Sequence, residues 1–142
     1  HLPDPEGLVT ELLQDLADIA EQVYKLPSAT VYKALMDREA LGPTGVGRGV
    51  AIPHARFAGV THVIGLFARL EKPVDFESMD RQPVDLVFAL FAPEAAGAEH
   101  LKALARVSRT LRNESLCAKL RSTFDPSAIY AILTDGKAEQ AA

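Results

Sequence analysis

The chain has 142 residues, 48% of them hydrophobic, which is enough for one domain with a real core and too little for a second. Its formal net charge of -4 argues against a dedicated nucleic-acid binder, because such proteins concentrate positive charge against phosphates. The longest apolar run, DLVFALFAP, is too short to cross a bilayer, so no direct membrane insertion is expected and the cytoplasm is the expected compartment.

Residues 1–7, HLPDPEG, have no initiator Met and read as a flexible or tag-derived start. Leu8, Leu12, Leu16, Ile19 and Val23 then recur at three or four positions, which predicts the inward side of an amphipathic helix. Pro27 ends that pattern. Ser28 is placed to cap a second, short helix through Val31 and Leu35 toward Arg38. The segment from Gly42 to Gly49 is a glycine-rich, flexible stretch of the kind that lines a site or makes tight turns. Val50, Ala51 and Ile52 predict a short strand, and Pro53 imposes an extended backbone just before His54.

From Val60 to Leu70 the chain is rich in strand formers, with His62, Ile64, Leu66, Ala68 and Leu70 sharing one face. The polar connection EKPVDFESMDRQP follows, anchored by Phe76 and Met79. Asp85 to Ala92 is almost continuously apolar, as a central strand covered on both faces should be. Ala98, Glu99 and His100 open a helix whose predicted inward stripe is Leu101, Leu104, Ala105, Val107, Ser108 and Leu111. A shorter helix around Leu116 to Leu120 carries Cys117, the single cysteine, which reads as a buried thiol. Asp125 and Pro126 signal a last helix packed through Ala128, Ile129 and Leu133, and residues 136–142 read as a flexible tail. Helices before and after the strands predict one layered α/β domain over residues 8–135, with helices on both faces of a sheet that is allowed to be mixed.

His54 is the leading candidate for chemistry. It follows a proline and a glycine-rich segment at the predicted end of a strand, where a side chain is presented with little freedom. Imidazole is a competent nucleophile near neutral pH; the ordinary alternative is an exposed loop histidine. His100 lies in the first turn of a helix, where the backbone dipole disfavours an added positive charge and supports anion binding. It is suited to hydrogen-bonding a phosphoryl group, or else is a half-buried capping residue. Arg38 can offer an anion a rigid guanidinium fork. Arg48 and Arg56 flank the glycine segment and the histidine, making the local surface positive.

Other templates fit poorly. The run from Gly45 to Gly49 lacks the spacing of a dinucleotide fingerprint and the ending of a nucleotide phosphate loop. One cysteine and scattered histidines make no zinc set, and Ser28, Ser78, Ser108 and Ser115 lie in no nucleophile elbow.

The stretch from Arg38 to His54, REALGPTGVGRGVAIPH, resembles the signature of the fructose/mannitol-type IIA domains of the bacterial phosphoenolpyruvate-dependent phosphotransferase system (PTS EIIA type 2), and within them the nitrogen-regulatory branch, IIA-Ntr. LEKPVDFESMDRQPVDLVFALFAP and the run from Ala98 to Leu101 resemble the same branch, and the likeness covers nearly the whole chain from the first helix onward. The resemblance implies a mixed β-sheet flanked by helices, with no metal or organic cofactor. It implies that His54 is the phosphorylated nucleophile, His100 the second active-site histidine and Arg38 the supporting arginine. The implied donor is a phosphohistidine on an HPr-like carrier, NPr, and the implied targets are regulated proteins such as a sensor kinase or a potassium transporter. Relatives usually carry more residues, including an early strand, ahead of the first helix, so an edge strand or oligomeric contacts are expected to differ. Two further readings remain at this stage: a sugar-transport IIA handing phosphate to a IIB domain, and a regulator that binds partners without working phosphotransfer.

Overall fold

The computed structural model describes residue 4 and residues 6–125. In chain order these form α1 (Leu8–Tyr24), α2 (Ser28–Leu41), β1 (Gly45–Gly47), β2 (Val50–Ala51), β3 (His54–Arg56), β4 (Ile64–Val74), β5 (Val84–Ala92), α3 (Gly97–Thr110) and α4 (Glu114–Ser122). The helix expected after Asp125, the tail from residue 136 and most of the first seven residues lie outside the described residues.

The apolar run expected to form a central strand is β5. It pairs in parallel with β2 and β3 on one side and antiparallel with β4 on the other, while β1 joins the outer edge of β2. The sheet is therefore mixed. Val50 pairs with Leu86 and His54 with Leu90, so β2 and β3 are one strand interrupted at Ile52 and Pro53. Pro53 has no N–H to give, yet its carbonyl accepts the Leu90 N–H at 2.9 Å and carries the register across the break. His54 consequently opens β3 instead of closing a strand, which differs from the expectation.

Period-two alternation sends the two sides of β5 into two cores. Val87, Ala89 and Phe91 face Leu13, Leu16, Val31 and Leu35 of α1 and α2. Leu86 and Leu90, with Val50 and Ile52, face Leu111, Leu116, Cys117 and Leu120 on the α3–α4 side. Helices thus cover both faces, as predicted. In β4, Ile64, Leu66, Ala68 and Leu70 pack on the first core as expected, although the strand begins at Ile64 and His62 precedes it, exposed.

Two helix faces and one anchor differ from the sequence reading. On α1 the buried residues are Val9, Leu12, Leu13, Leu16, Ala17 and Ala20, and Ile19 and Val23 are 40% and 58% exposed. Leu12 and Leu16 belong to both possible sides; the chosen one offers Ala17 and Ala20, small enough for close helix packing. On α3, Leu101 and Ala105 point outward while His100, Ala103, Leu104, Val107 and Thr110 turn inward or partly inward. Phe76 anchors its connection as expected, but Met79 is fully exposed.

Ser28 does not cap α2. Its hydroxyl instead donates to Asp18 Oδ1 at 2.6 Å, tying α2 to α1. At the start of α1 the Asp4 carboxylate accepts the N–H groups of Val9 and Thr10 at 3.1 and 2.9 Å, satisfying donors that have no partner within the helix. The Cys117 thiol is buried and donates to the Leu111 carbonyl at 3.1 Å, and burial pushes its pKa up.

The two candidate sides of α1 differ in a measurable way. Leu13→Ala should lower stability by about 2–5 kcal/mol through the cavity it leaves. Ile19→Ala should change it by only about 0.5 kcal/mol. Urea unfolding of the two variants checks both values.

Candidate active site

Arg38 lies in the last turn of α2 and reaches across to the start of β3, where its Nε–H donates to His54 Nε2 at 3.1 Å. Its Nη1 donates to the Gly42 carbonyl at 2.8 Å, so the fork is held at both ends. On the other side of the imidazole, His54 Nδ1 is 2.8 Å from the Ile52 carbonyl. A carbonyl only accepts, so Nδ1 carries the proton and the neutral ring places its lone pair on Nε2. Burial is the main cause holding the His54 pKa down; the Ile52 bond opposes it and the Arg38 charge reinforces it.

His100 sits in the first turn of α3 and is only 7% exposed. Its ring meets that of His54 edge-on, with centroids 5.3 Å apart and planes 67° apart. Its Nε2 is buried without a hydrogen-bond partner, which carries a desolvation penalty unless something arrives to be bonded. Burial lowers the His100 pKa as well, helped by the charges of His54 and Arg56. Two neutral imidazoles and one fixed guanidinium therefore converge. That set can attack an electrophilic centre and then hold the oxygens around it.

The structure brings together Arg38, His54 and His100, and it keeps Arg56 near enough for its charge to act on His100. Arg48 behaves differently. Its Nη1 donates to the Arg112 carbonyl at 2.9 Å, and it lines a cavity of ≈ 240 Å³ with Leu111, Arg112, Glu114, Cys117 and Arg121. None of the three site residues borders that cavity. The glycine segment before His54 is no loose loop either, since it supplies β1 and a tight turn in which Arg48 and Gly49 have φ of 56° and 78°.

Sequence reading missed the backbone carbonyls of Ile52 and Gly42, which have no side-chain signature. It also missed Glu39, which was detectable: with Val31 and Leu35 it forms an i, i+4, i+8 row that is wholly buried, and a carboxylate on an inward row is unusual. Among the described residues no three His, Cys, Asp or Glu side chains gather as a metal set, and no helix is long and apolar enough to cross a membrane.

Residues 8–136 match the family described as phosphoenolpyruvate-dependent sugar phosphotransferase system, EIIA 2. The chain belongs to this family. This EIIA chain is 53% identical over 123 residues to the nitrogen regulatory protein of Bradyrhizobium diazoefficiens, covering 87% of this chain and 80% of that protein. It is 37% identical over 124 residues to the nitrogen regulatory protein of Escherichia coli K12, covering 87% and 76%. The crystal structure of the nitrogen regulatory protein IIA-Ntr from Neisseria meningitidis superposes with a TM-score of 0.82 at 38% identity, covering 87% of this chain and 85% of that one. The mixed sheet with flanking helices is thus the EIIA type-2 fold, and the chain closely matches nitrogen-regulatory homologues. Membership supports a phosphotransfer or regulatory role in that system.

The lowered histidine pKa values give a signed pH dependence. Between the ordinary value of 6.5 and the folded values, the unfolded chain binds protons that the folded chain does not. Stability from the neutral rings is therefore fully present above about pH 6.5 and is lost as pH falls through the folded pKa values. Proton NMR titration of both imidazoles should place their midpoints below about 6.5, and unfolding midpoints measured in parallel should fall over the same window.

Proposed function

We propose that this EIIA protein is a cytoplasmic phosphoryl carrier that accepts phosphate on His54 from a phosphohistidine of an HPr-like carrier of the NPr kind. It then signals the phosphorylation state of the system to protein targets such as a sensor kinase or a potassium transporter. The observation that carries this reading is the His54 ring itself, with its proton committed to the Ile52 carbonyl and its Nε2 lone pair facing Arg38.

The lone pair of Nε2 attacks the donor's phosphorus in line. As the new N–P bond forms, the donor's N–P bond breaks and its imidazole leaves with the electron pair. No proton has to move to or from His54. Nδ1–H stays on the ring, and its bond to Ile52 strengthens as the ring gains positive charge. Arg38 Nε–H, released from Nε2, turns to the equatorial oxygens, and His100 Nε2 supplies a second donor. The step uses no metal or organic cofactor. Donor and acceptor are both phosphohistidines, so transfer is reversible and the bound phosphate tracks the upstream pool.

Leu41 and Leu101 are 84% and 68% exposed and adjoin Gly42 and His100 in sequence. Exposed apolar side chains so close in sequence to the site suit a protein partner, since interfaces combine an apolar centre with arginine contacts. The 53% identity to a nitrogen regulatory protein favours regulation over sugar transport. Onward transfer to a sugar-specific IIB domain would reverse that preference.

Incubation with phosphorylated NPr-like carrier, followed by intact mass, should add one acid-labile phosphoryl group to the wild type and none to His54→Ala. His100→Ala should stay folded and accept phosphate roughly 10²-fold more slowly, as loss of one transition-state donor generally does. A wild type that gains nothing from a demonstrably active donor would leave a regulator that only binds. Full modification of His54→Ala would put the nucleophile elsewhere.

A further inference from the structure

Glu39 follows Arg38 directly and is 5% exposed. One carboxylate oxygen, Oε2, accepts the Thr44 N–H at 2.9 Å, and the other, Oε1, accepts the Thr44 hydroxyl at 2.6 Å. Thr44 is itself 3% exposed. The same short connection is held twice more, by the Gly42 N–H donating to the Glu39 carbonyl at 3.2 Å and by Arg38 Nη1 donating to the Gly42 carbonyl. Removing a carboxylate from water is expensive, and replacing it with a packed apolar residue is often neutral or stabilising. A row shared with Val31 and Leu35 would accept such a residue, so a carboxylate there points to a use beyond packing.

The contacts that leave Thr44 show what that use is. Its carbonyl accepts the Ile52 N–H at 3.0 Å. The Ile52 carbonyl is the group that holds His54 Nδ1, and His54 Nε2 returns the path to Arg38. Starting at Glu39, the bonds pass through Thr44, Ile52 and His54 and close on the residue beside Glu39.

We propose that Glu39, acting through Thr44, is a positioning residue: it fixes the strand segment whose Ile52 carbonyl selects the Nδ1–H tautomer of His54 and so directs Nε2 toward the incoming phosphoryl group. The consequence for transfer rests on the carrier role proposed above. The consequence for the tautomer rests on geometry alone.

Thr44→Val keeps the side-chain shape and the backbone N–H and deletes only the hydroxyl donor. Thr44→Ser restores that donor. Glu39→Gln keeps the length: its amide oxygen can accept the Thr44 N–H while its amide nitrogen donates to the hydroxyl oxygen, which preserves the geometry without the charge. Nitrogen-15 histidine spectra of wild type should show His54 protonated at Nδ1 and bare at Nε2. In Thr44→Val the Nε2–H tautomer should gain population, and phosphate acceptance should slow by about tenfold, in line with the cost of small misplacements of a reacting group. Thr44→Ser and Glu39→Gln should remain close to wild type in both readouts.

Urea unfolding of each variant separates this from a purely structural part, which would lower stability without moving the tautomer. A folded Thr44→Val with unchanged His54 spectrum and unchanged rate overturns the proposal, and so does a Thr44→Ser as impaired as Thr44→Val. The spectrum needs no phosphate donor. A tautomer shift in Thr44→Val alongside a wild type that refuses phosphate would sustain the positioning and sink the carrier reading.

Discussion

The bond from the Leu90 N–H to the Pro53 carbonyl is the contact on which the site depends. Proline removes one donor from the strand that carries His54, and without a compensating pairing the chain would be free to peel from the sheet at that point. The Leu90 bond keeps residues on both sides of the break in one register against β5, buried between two cores. Ile52 turns away from β5: its N–H donates to the Thr44 carbonyl and its carbonyl faces the His54 ring.

Electrostatics at the site run against those of the whole chain. The protein carries a net charge of -4, yet Arg38 makes no ion pair among the described residues and donates only to a carbonyl and to His54. Its charge acts on the neighbouring Glu39 carboxylate but is held by no such ion pair, so it can also act on an incoming anion. Beside it, burial keeps both imidazoles neutral near pH 7. One fixed cation with two neutral rings is the arrangement that the carrier role proposed for His54 would require.

The α4 side supports this arrangement from a distance. The turn at Arg48 and Gly49 opens β2, and several parts of the chain clasp it. The Arg48 N–H donates to Asp80 at 2.7 Å, its carbonyl accepts from Arg121 at 2.8 Å, and the Gly49 carbonyl accepts from both Asp85 and Leu86 at 3.0 Å. Arg121 also grips Asp85 through two of its nitrogens at 2.9–3.0 Å. A half-buried pair with several bonds resists solvent better than an isolated surface pair. The glycine segment is thus stiffened at its tip by α4 and at its base by Glu39, and β2 emerges from it at a set angle.

Much of this was legible from residues alone. The unbroken apolar run marked β5 as central, because only a strand covered on both faces tolerates that composition. Alternation in β4 and the proline before His54 were local signals, and the structure obeys them. Arg38 and His100 were candidates from residue chemistry, given site roles by the family resemblance, and their side chains do meet His54. The inward sides of α1 and α3 were not decidable, since Leu12 and Leu16 serve two faces and His100 was not counted as an inward residue. By itself, then, the sequence determined the layered α/β plan, through periodicity, and made His54 a candidate through the proline and glycine segment before it, with the family resemblance implying its role. Only the tertiary structure decided which nitrogen of His54 carries the proton and which is left bare, because that choice is made by the Ile52 carbonyl, held through Thr44 and Glu39 by contacts that leave no periodic mark on the sequence.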